Sequence, residues 1–235
     1  VIKQRIEAQT TQDCISEVNK ITGSVVKLAA SSLKKNKGDV SGSYMSDAIR
    51  YAPDILYNRL AIVFRSWINH GTVTRTLLAC AFSPLLKNSQ KDPAETKSYR
   101  AIAGSSLWLK LFDKVILIVW GHLLTSGSLQ MGYKKNSSTA QCSYVMMETI
   151  SYFLNNGSNP ILVALDMSSA FDKCMFDVMF IKLEARLPAV LVRALIFIYQ
   201  QQYAWVRWGN TRKSEIFNIS NGTRQGSVLS PALFS

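Results

Sequence analysis

The stretch ILVALDMSSAFDK, residues 161–173, constrains the fold more than any other part of the chain. A turn signal, NGSNP (156–160), leads into an apolar run that ends abruptly on Asp166. An apolar run that does not alternate with polar residues predicts a strand over 161–166, buried on both faces. Such a strand delivers its last side chain at the end of a sheet, and here that side chain is a carboxylate. Phe171 and a second acid, Asp172, follow five and six residues later.

At 235 residues, 48% hydrophobic and 18% charged, the chain has a globular composition and can bury a sizeable core, as one large domain or two small ones. Its 27 Lys and Arg against 15 Asp and Glu give a formal charge of +12. So basic a balance favours a polyanionic partner, either nucleic acid or an anionic membrane surface. The longest apolar stretches, 115–124 and 190–199, fall short of the ~20 residues that a membrane span needs, and they read as buried helices. No membrane partner is expected. Cys14, Cys80, Cys142 and Cys174 are scattered, and with only His70 and His122 they offer no zinc set. Reduced, structural thiols in an intracellular protein are the simplest reading.

Residues 1–35 carry apolar positions at helical spacing and predict one or two helices. The basic, Gly/Ser-rich segment KKNKGDVSGS (34–43) reads as a loop and a domain boundary, with helices following within 44–69. TLLACAFSPLLK (76–87) predicts a strand pair interrupted at Pro84, and NSQKDPAETKS (88–98) a polar surface loop. A long amphipathic helix starts near Ser105 or Ser106, both natural N-caps. Pro188 separates helices over 174–187 and 189–202. YAWVRWGNTRKSEIFNIS (203–220) then reads as a β-hairpin around GNTRK, and the last segment as a Gly-punctuated loop turning into a helix. Helices mixed with a few antiparallel strands define an α+β architecture.

Three stretches hold side chains with chemistry. Asp166 at a strand end suits Mg²⁺, a hard cation that takes oxygen ligands, but the same position also caps a following helix or turn. A phosphotransferase of the kind with a second Asp two residues on is excluded, because Ser168 stands there. In NGTRQGSVLSP (221–231) glycines flank Thr-Arg-Gln, which lets the backbone approach a ligand and present donors to a phosphate or a base. An ordinary loop leading into a helix capped by Ser227 or Ser230 has the same composition. Lys87 and Arg100 bracket the polar loop at 88–98, where two cations suit a triphosphate, although basic loops are commonly just solvated.

In order and spacing, LLKNSQKDPAETKSYRAI, LQMGYKKNSSTAQ, VALDMSSAFDK and GTRQGSVLSPALF resemble the reverse transcriptase of non-LTR (LINE-like) retrotransposons, from about residue 35 to Ser235. The resemblance implies part of a right-hand polymerase. A helical extension would occupy 1–40, fingers 41–158, and the first part of a palm, built on an antiparallel sheet, 159–235. It implies an RNA-directed DNA polymerase with RNA template, DNA primer and dNTP as partners and Mg²⁺ in a two-metal site, acting on chromosomal DNA in the nucleus.

Residue by residue, the resemblance makes Asp166 the catalytic metal ligand, with the Met167 carbonyl as a further oxygen. Phe171 becomes a steric gate against a ribose 2′-hydroxyl, and Asp172 a local hydrogen-bonding group. Lys87 and Arg100 would hold the incoming triphosphate, and Gln225 and Gly226 would pack against the nascent base pair. Lys134, Lys135, Ser138 and Thr139 would lie along the template, and Arg224, where many relatives carry Pro, would contact a phosphate. The chain departs from the family pattern at Ala101 (usually Pro), at Tyr133-Lys134 (usually Phe-Arg) and at Ser169 (commonly Lys). The family's two other catalytic aspartates belong to a Tyr-x-Asp-Asp hairpin beyond these motifs. The sequence therefore reads as a piece of a longer polypeptide that does not polymerise alone. The alternative is a relic or domesticated fold that binds RNA without chemistry.

Overall fold

The computed structural model describes residues 12–134, 136–209, 212–224 and 226–234. Helices α1 (Gln12–Asn19), α2 (Gly23–Ser31), α3 (Ser46–Arg50) and α4 (Asp54–His70) come first. A 3₁₀ turn at Arg75–Leu78 leads into strands β1 (Ala79–Leu86) and β2 (Tyr99–Ser105). Helices α5 (Leu107–Trp120), α6 (Thr139–Asn155), α7 (Phe176–Glu184) and α8 (Ala189–Gln201) follow. The short strands β3 (Tyr203–Trp208), β4 (Arg212–Lys213) and β5 (Phe217–Asn218) precede helix α9 (Ser230–Phe234).

Local chemistry sets the helix boundaries. The Ser106 hydroxyl accepts from Trp108 N–H at 3.3 Å and starts α5, and Thr22 does the same for α2 through Val25 N–H. Pro188 stands as the residue before α8, where its missing N–H costs nothing. Helix α5 is apolar nearly all round, which predicts an interior position. Leu107, Leu109, Leu111, Phe112, Val115, Ile116 and Trp120 are indeed buried. Small residues on α2, Ala29 and Ala30, allow α4 and α5 to approach it. Phe64 and Trp67 of α4 pack on Phe112 at ring-centroid distances of 5.2 and 5.3 Å. Leu191, Leu195 and Ile198 of α8 complete a core that runs from Val18 to Leu233.

The Gly/Ser-rich loop at 34–43 lies between helices that share this core, and Asp39 ties it down. One Asp39 oxygen accepts Leu107 N–H at 2.7 Å, at the first turn of α5, and the other accepts Ser41 N–H at 2.9 Å. Burial pushes the Asp39 carboxyl up, but bonds from Ser41, Leu107 and Tyr44 outweigh it and hold the group below the usual carboxylate range.

The sheet runs β2–β1–β3–β4, with β5 also paired to β3. It is mixed, where an antiparallel sheet was expected. β1 and β2 are antiparallel, but β1 and β3 are parallel from Ala79↔Tyr203 to Phe82↔Val206. Helices α5 to α8 lie between those two strands in sequence, enough chain for the crossover a parallel pair requires. The expected strand pair around Pro84 is one continuous strand. Pro84 is tolerated because the β1–β3 ladder ends at Phe82, leaving β1 an edge on that side.

The strand expected at 161–166 does not form. Among the described residues nothing pairs with it, and its side chains stay exposed, with Ile161 at 90% and Leu165 at 94%. A buried strand needs a ladder partner and two covered faces, and neither is provided by the residues described. No described helix is long and apolar enough to cross a membrane.

Candidate functional site

Three segments far apart in sequence meet around the 222–229 loop. Gly222 N–H donates to the Cys174 carbonyl at 2.9 Å, and Thr223 N–H donates to the Phe171 carbonyl at 2.8 Å. These two backbone bonds stitch the loop to the turn that follows Asp166. Glycine is required at the junction. Gly222 has φ +85°, and a Cβ there would meet the Asp172 carbonyl oxygen at 2.9 Å and that of Phe171 at 3.0 Å. On its far side the loop meets β2. Gly226 has φ +104°, and its Cβ would stand 3.1 Å from the Ala103 carbonyl oxygen and 3.5 Å from the Ile102 side chain.

The β1–β2 hairpin carries the two expected triphosphate cations. Lys87 follows β1 directly; its N–H donates to the Ser98 carbonyl at 2.9 Å and its Nζ to the Lys97 carbonyl at 2.8 Å. Arg100 stands opposite Leu85 on β2, exposed, with no carboxylate within ion-pair distance among the described residues. Residues two apart on a strand share a face, so Arg100 and the Ile102 against which Gly226 packs point the same way. The hairpin thus presents a free guanidinium on the face that receives the glycine loop.

Asp166 is exposed at the end of the extended segment. The chain turns directly after it, with Asp172 and Lys173 N–H donating to the Ser169 carbonyl at 3.0 and 3.1 Å. Asp172 itself is exposed. Asp166 and the Met167 carbonyl are hard oxygen donors of the kind magnesium takes. No group of three His, Cys, Asp or Glu able to hold a metal exists among the described residues. Asp166 and the Met167 carbonyl together offer two kinds of oxygen donor, fewer than the set such an ion takes.

Phe171 is half-buried in an aromatic cluster. It stacks on Phe234 at 4.8 Å and meets Tyr133 edge-on at 5.6 Å. Sequence reasoning missed Phe234 and gave Tyr133 no role. Tyr133 replaces the family's usual Phe and keeps a ring there.

The expected template residues scatter. Lys134 is exposed and its Nζ donates to the Gly127 carbonyl at 3.2 Å. Ser138 is the N-cap of α6 in a reciprocal capping box with Gln141, so its hydroxyl already has work, while Thr139 opens the helix, exposed. Lys135 and Gln225 lie outside the described residues. Arg224 departs from expectation. It is only 3% exposed, and its guanidinium lies inward over the Tyr199 ring, 5.9 Å from the centroid. A side chain so enclosed does not offer itself to a template phosphate.

Beneath the loop lies Asp113, 2% exposed in the middle of α5 and also missed. Ser227 Oγ donates to its Oδ2 at 2.9 Å. Burial pushes the Asp113 carboxyl up, opposed by the Arg224 charge and the Ser227 bond. Burial likewise pushes the Tyr199 hydroxyl up to about 12. The visible signal for Asp113 was a lone acid inside the apolar helix LWLKLFDKVILIVW. The described cysteines Cys80, Cys142 and Cys174 are all free; Cys142 is exposed on α6, so it does not fill a structural position there.

The glycine loop thus joins a carboxylate turn on one side to a cationic hairpin on the other, in a helical fold around a mixed sheet. The chain belongs to the reverse transcriptase (RNA-dependent DNA polymerase) family, whose model matches residues 86–235. It is 24% identical over 194 residues to the RNA-directed DNA polymerase from mobile element jockey of Drosophila melanogaster. It is likewise 24% identical over 222 residues to the protein of the same name from Drosophila funebris. These alignments cover 80% and 92% of this chain but 21% and 24% of the relatives, so the chain spans less than a quarter of their length. The likeness to the reverse transcriptases of LINE-like mobile elements, for part of such a domain, is thereby shown.

Proposed function

We propose that the chain forms the fingers and first part of the palm of a right-hand RNA-directed DNA polymerase, which transfers a nucleotide from dNTP to a primer 3′-hydroxyl on an RNA template. The observation that carries this reading is the stitching of the 222–229 loop to the turn after Asp166. It holds the Phe171 backbone against Gly222 and Thr223, while Gly226 packs on the face of β2 that bears Arg100. Lys87 and Arg100 bind the triphosphate, and Phe171 fills the space a 2′-hydroxyl needs. Asp166 contributes one carboxylate to a magnesium site whose remaining acids would belong to a Tyr-x-Asp-Asp hairpin. Asp166 and the Met167 carbonyl would hold part of the magnesium shell, and the ion, when bound, would supply charge stabilisation for phosphoryl transfer. The element acts on chromosomal DNA in the nucleus.

A second reading, an RNA-binding module without chemistry, draws on the same basic surface and on the lack of a complete metal-ligand cluster among the described residues. Sugar selection separates the two. In a polypeptide carrying this chain together with the hairpin acids, Phe171→Ala should raise ribonucleotide incorporation relative to dNTP by about tenfold or more. An unchanged ratio removes the gate role, and absence of extension by the unmutated polypeptide favours the binding module.

A further inference from the structure

The interior beneath the 222–229 loop holds a charge that the proposed chemistry does not use. Arginine cannot shed its proton in a protein, so Arg224 carries a full cation into a site 3% exposed. Its Nε and Nη1 find no hydrogen-bond partner among the described residues. The neighbouring Thr223 hydroxyl is buried without a partner among the described residues as well. A buried, uncompensated charge is strongly destabilising in general, so something must offset this one. Asp113 is the buried carboxylate beneath the same loop, and Ser227 joins the two: its N–H donates to the Arg224 carbonyl at 3.0 Å and its Oγ to Asp113 Oδ2 at 2.9 Å. They do not touch as an ion pair, so the attraction works through a low-dielectric interior, where it reaches farther than in water. Lys110, one turn before Asp113 on α5, is half-buried beside the same group and adds a second cation that Asp113 and Asp39 offset.

We propose that Arg224 is a positioning residue: with Asp113 it forms a buried charge couple that clamps the 222–229 loop onto α5 and fixes the path on which Gly226 meets β2. Its consequence for nucleotide handling rests on the polymerase reading, but the clamp does not. Without Asp113 the cation is left uncompensated, and Arg224 escapes to solvent only by lifting the loop off α5. Removing the cation as well relieves that strain, because an apolar side chain of similar length tolerates the site.

Backbone hydrogen exchange on this chain tests the clamp without any need for catalysis. Asp113→Asn should speed exchange of the 226–229 amides by about tenfold or more, with α2 and α4 amides unchanged. Arg224→Met in that background should bring the loop back to within about threefold of wild type, the non-additive result expected for coupled neighbours. Ser227→Ala is the milder variant if Asp113→Asn does not fold, and it too should speed exchange in the loop alone. Additive effects, or faster exchange spread equally over α2 and α4, would overturn the clamp. Salt dependence of affinity for single-stranded RNA gives a second check. A phosphate contact contributes about 0.7 to the slope of log affinity against log salt, so Arg224→Met should leave the slope unchanged. A slope reduced by that amount would return Arg224 to the template. Failed primer extension in a longer polypeptide would sink the polymerase reading and leave the clamp standing.

Discussion

Helices α5 and α6 are both long and rich in apolar residues, yet they meet opposite fates. Along α5 seven apolar side chains are buried, from Leu107 to Trp120, and Ile118 is left exposed, whereas α6 buries nothing, although it carries Tyr144, Val145, Met147, Tyr152 and Leu154. Composition does not separate them; the presence of a partner surface does. α5 meets α2 and the 3₁₀ turn at Arg75–Leu78 on its way through the core, while α6 and the extended run at 161–166 bury none of their described residues. The lesson bears on function. The carboxylate expected to do chemistry sits on the open half of the molecule, and the elements that orient its neighbours, the glycine loop and the cationic hairpin, are fixed to the closed half.

Mutations that press on each half should sharpen this contrast. The largest effect is expected at Phe112, where truncation to Ala leaves a cavity against Phe64 and Trp67. Unfolding by denaturant should show a loss of about 3–5 kcal/mol. Gly222→Ala comes next, because it forces a side chain into the backbone of Phe171 and Asp172 at an unfavourable φ. A loss of about 1–3 kcal/mol is expected, with the Phe171 cluster disturbed in aromatic fluorescence or NMR.

Asp39→Ala should cost about 1 kcal/mol as a lost cap of α5. Its pH dependence has a definite sign. The folded carboxyl is held below its ordinary value, so its contribution is complete above the unfolded pKa of about 3.9 and fades as pH falls through the lower folded value. Wild type should therefore lose stability on acidification faster than Asp39→Ala. Leu165→Ala, at the exposed end of the comparison, should change stability by no more than about 0.5 kcal/mol. A loss near that of a core leucine would show that the 161–166 run is covered in solution, and the contrast between the two halves would break.

Much of the closed half was legible in the sequence. Ser106 announced the start of α5, Pro188 the start of α8, and the GNTRK turn the hairpin at β3 and β4. These signals are local, set by caps and turn residues within a few positions. The failures share a non-local cause. The 161–166 run has the composition of a buried strand, but pairing depends on a partner that no short window contains. Arg224 read as a phosphate ligand because glycine loops often present donors outward, and only the fold shows it turned in above Asp113. The loop at 34–43 looked like a boundary because Asp39 finds Leu107 across 68 positions. Around the glycine loop, the sequence motifs that hold Arg100, Phe171 and Gly226 were readable, while the bonds from Gly222 to Cys174 and from Thr223 to Phe171 were not.

The central claim is that Asp166 is a metal-binding acid of a polymerase. Primer extension on an RNA template tests it most directly, using a polypeptide that carries this chain together with the Tyr-x-Asp-Asp acids, wild type against Asp166→Asn. The exposed position of Asp166 predicts folding stability within about 0.5 kcal/mol of wild type, with extension abolished in the variant. Extension by Asp166→Asn at the wild-type rate would contradict the account.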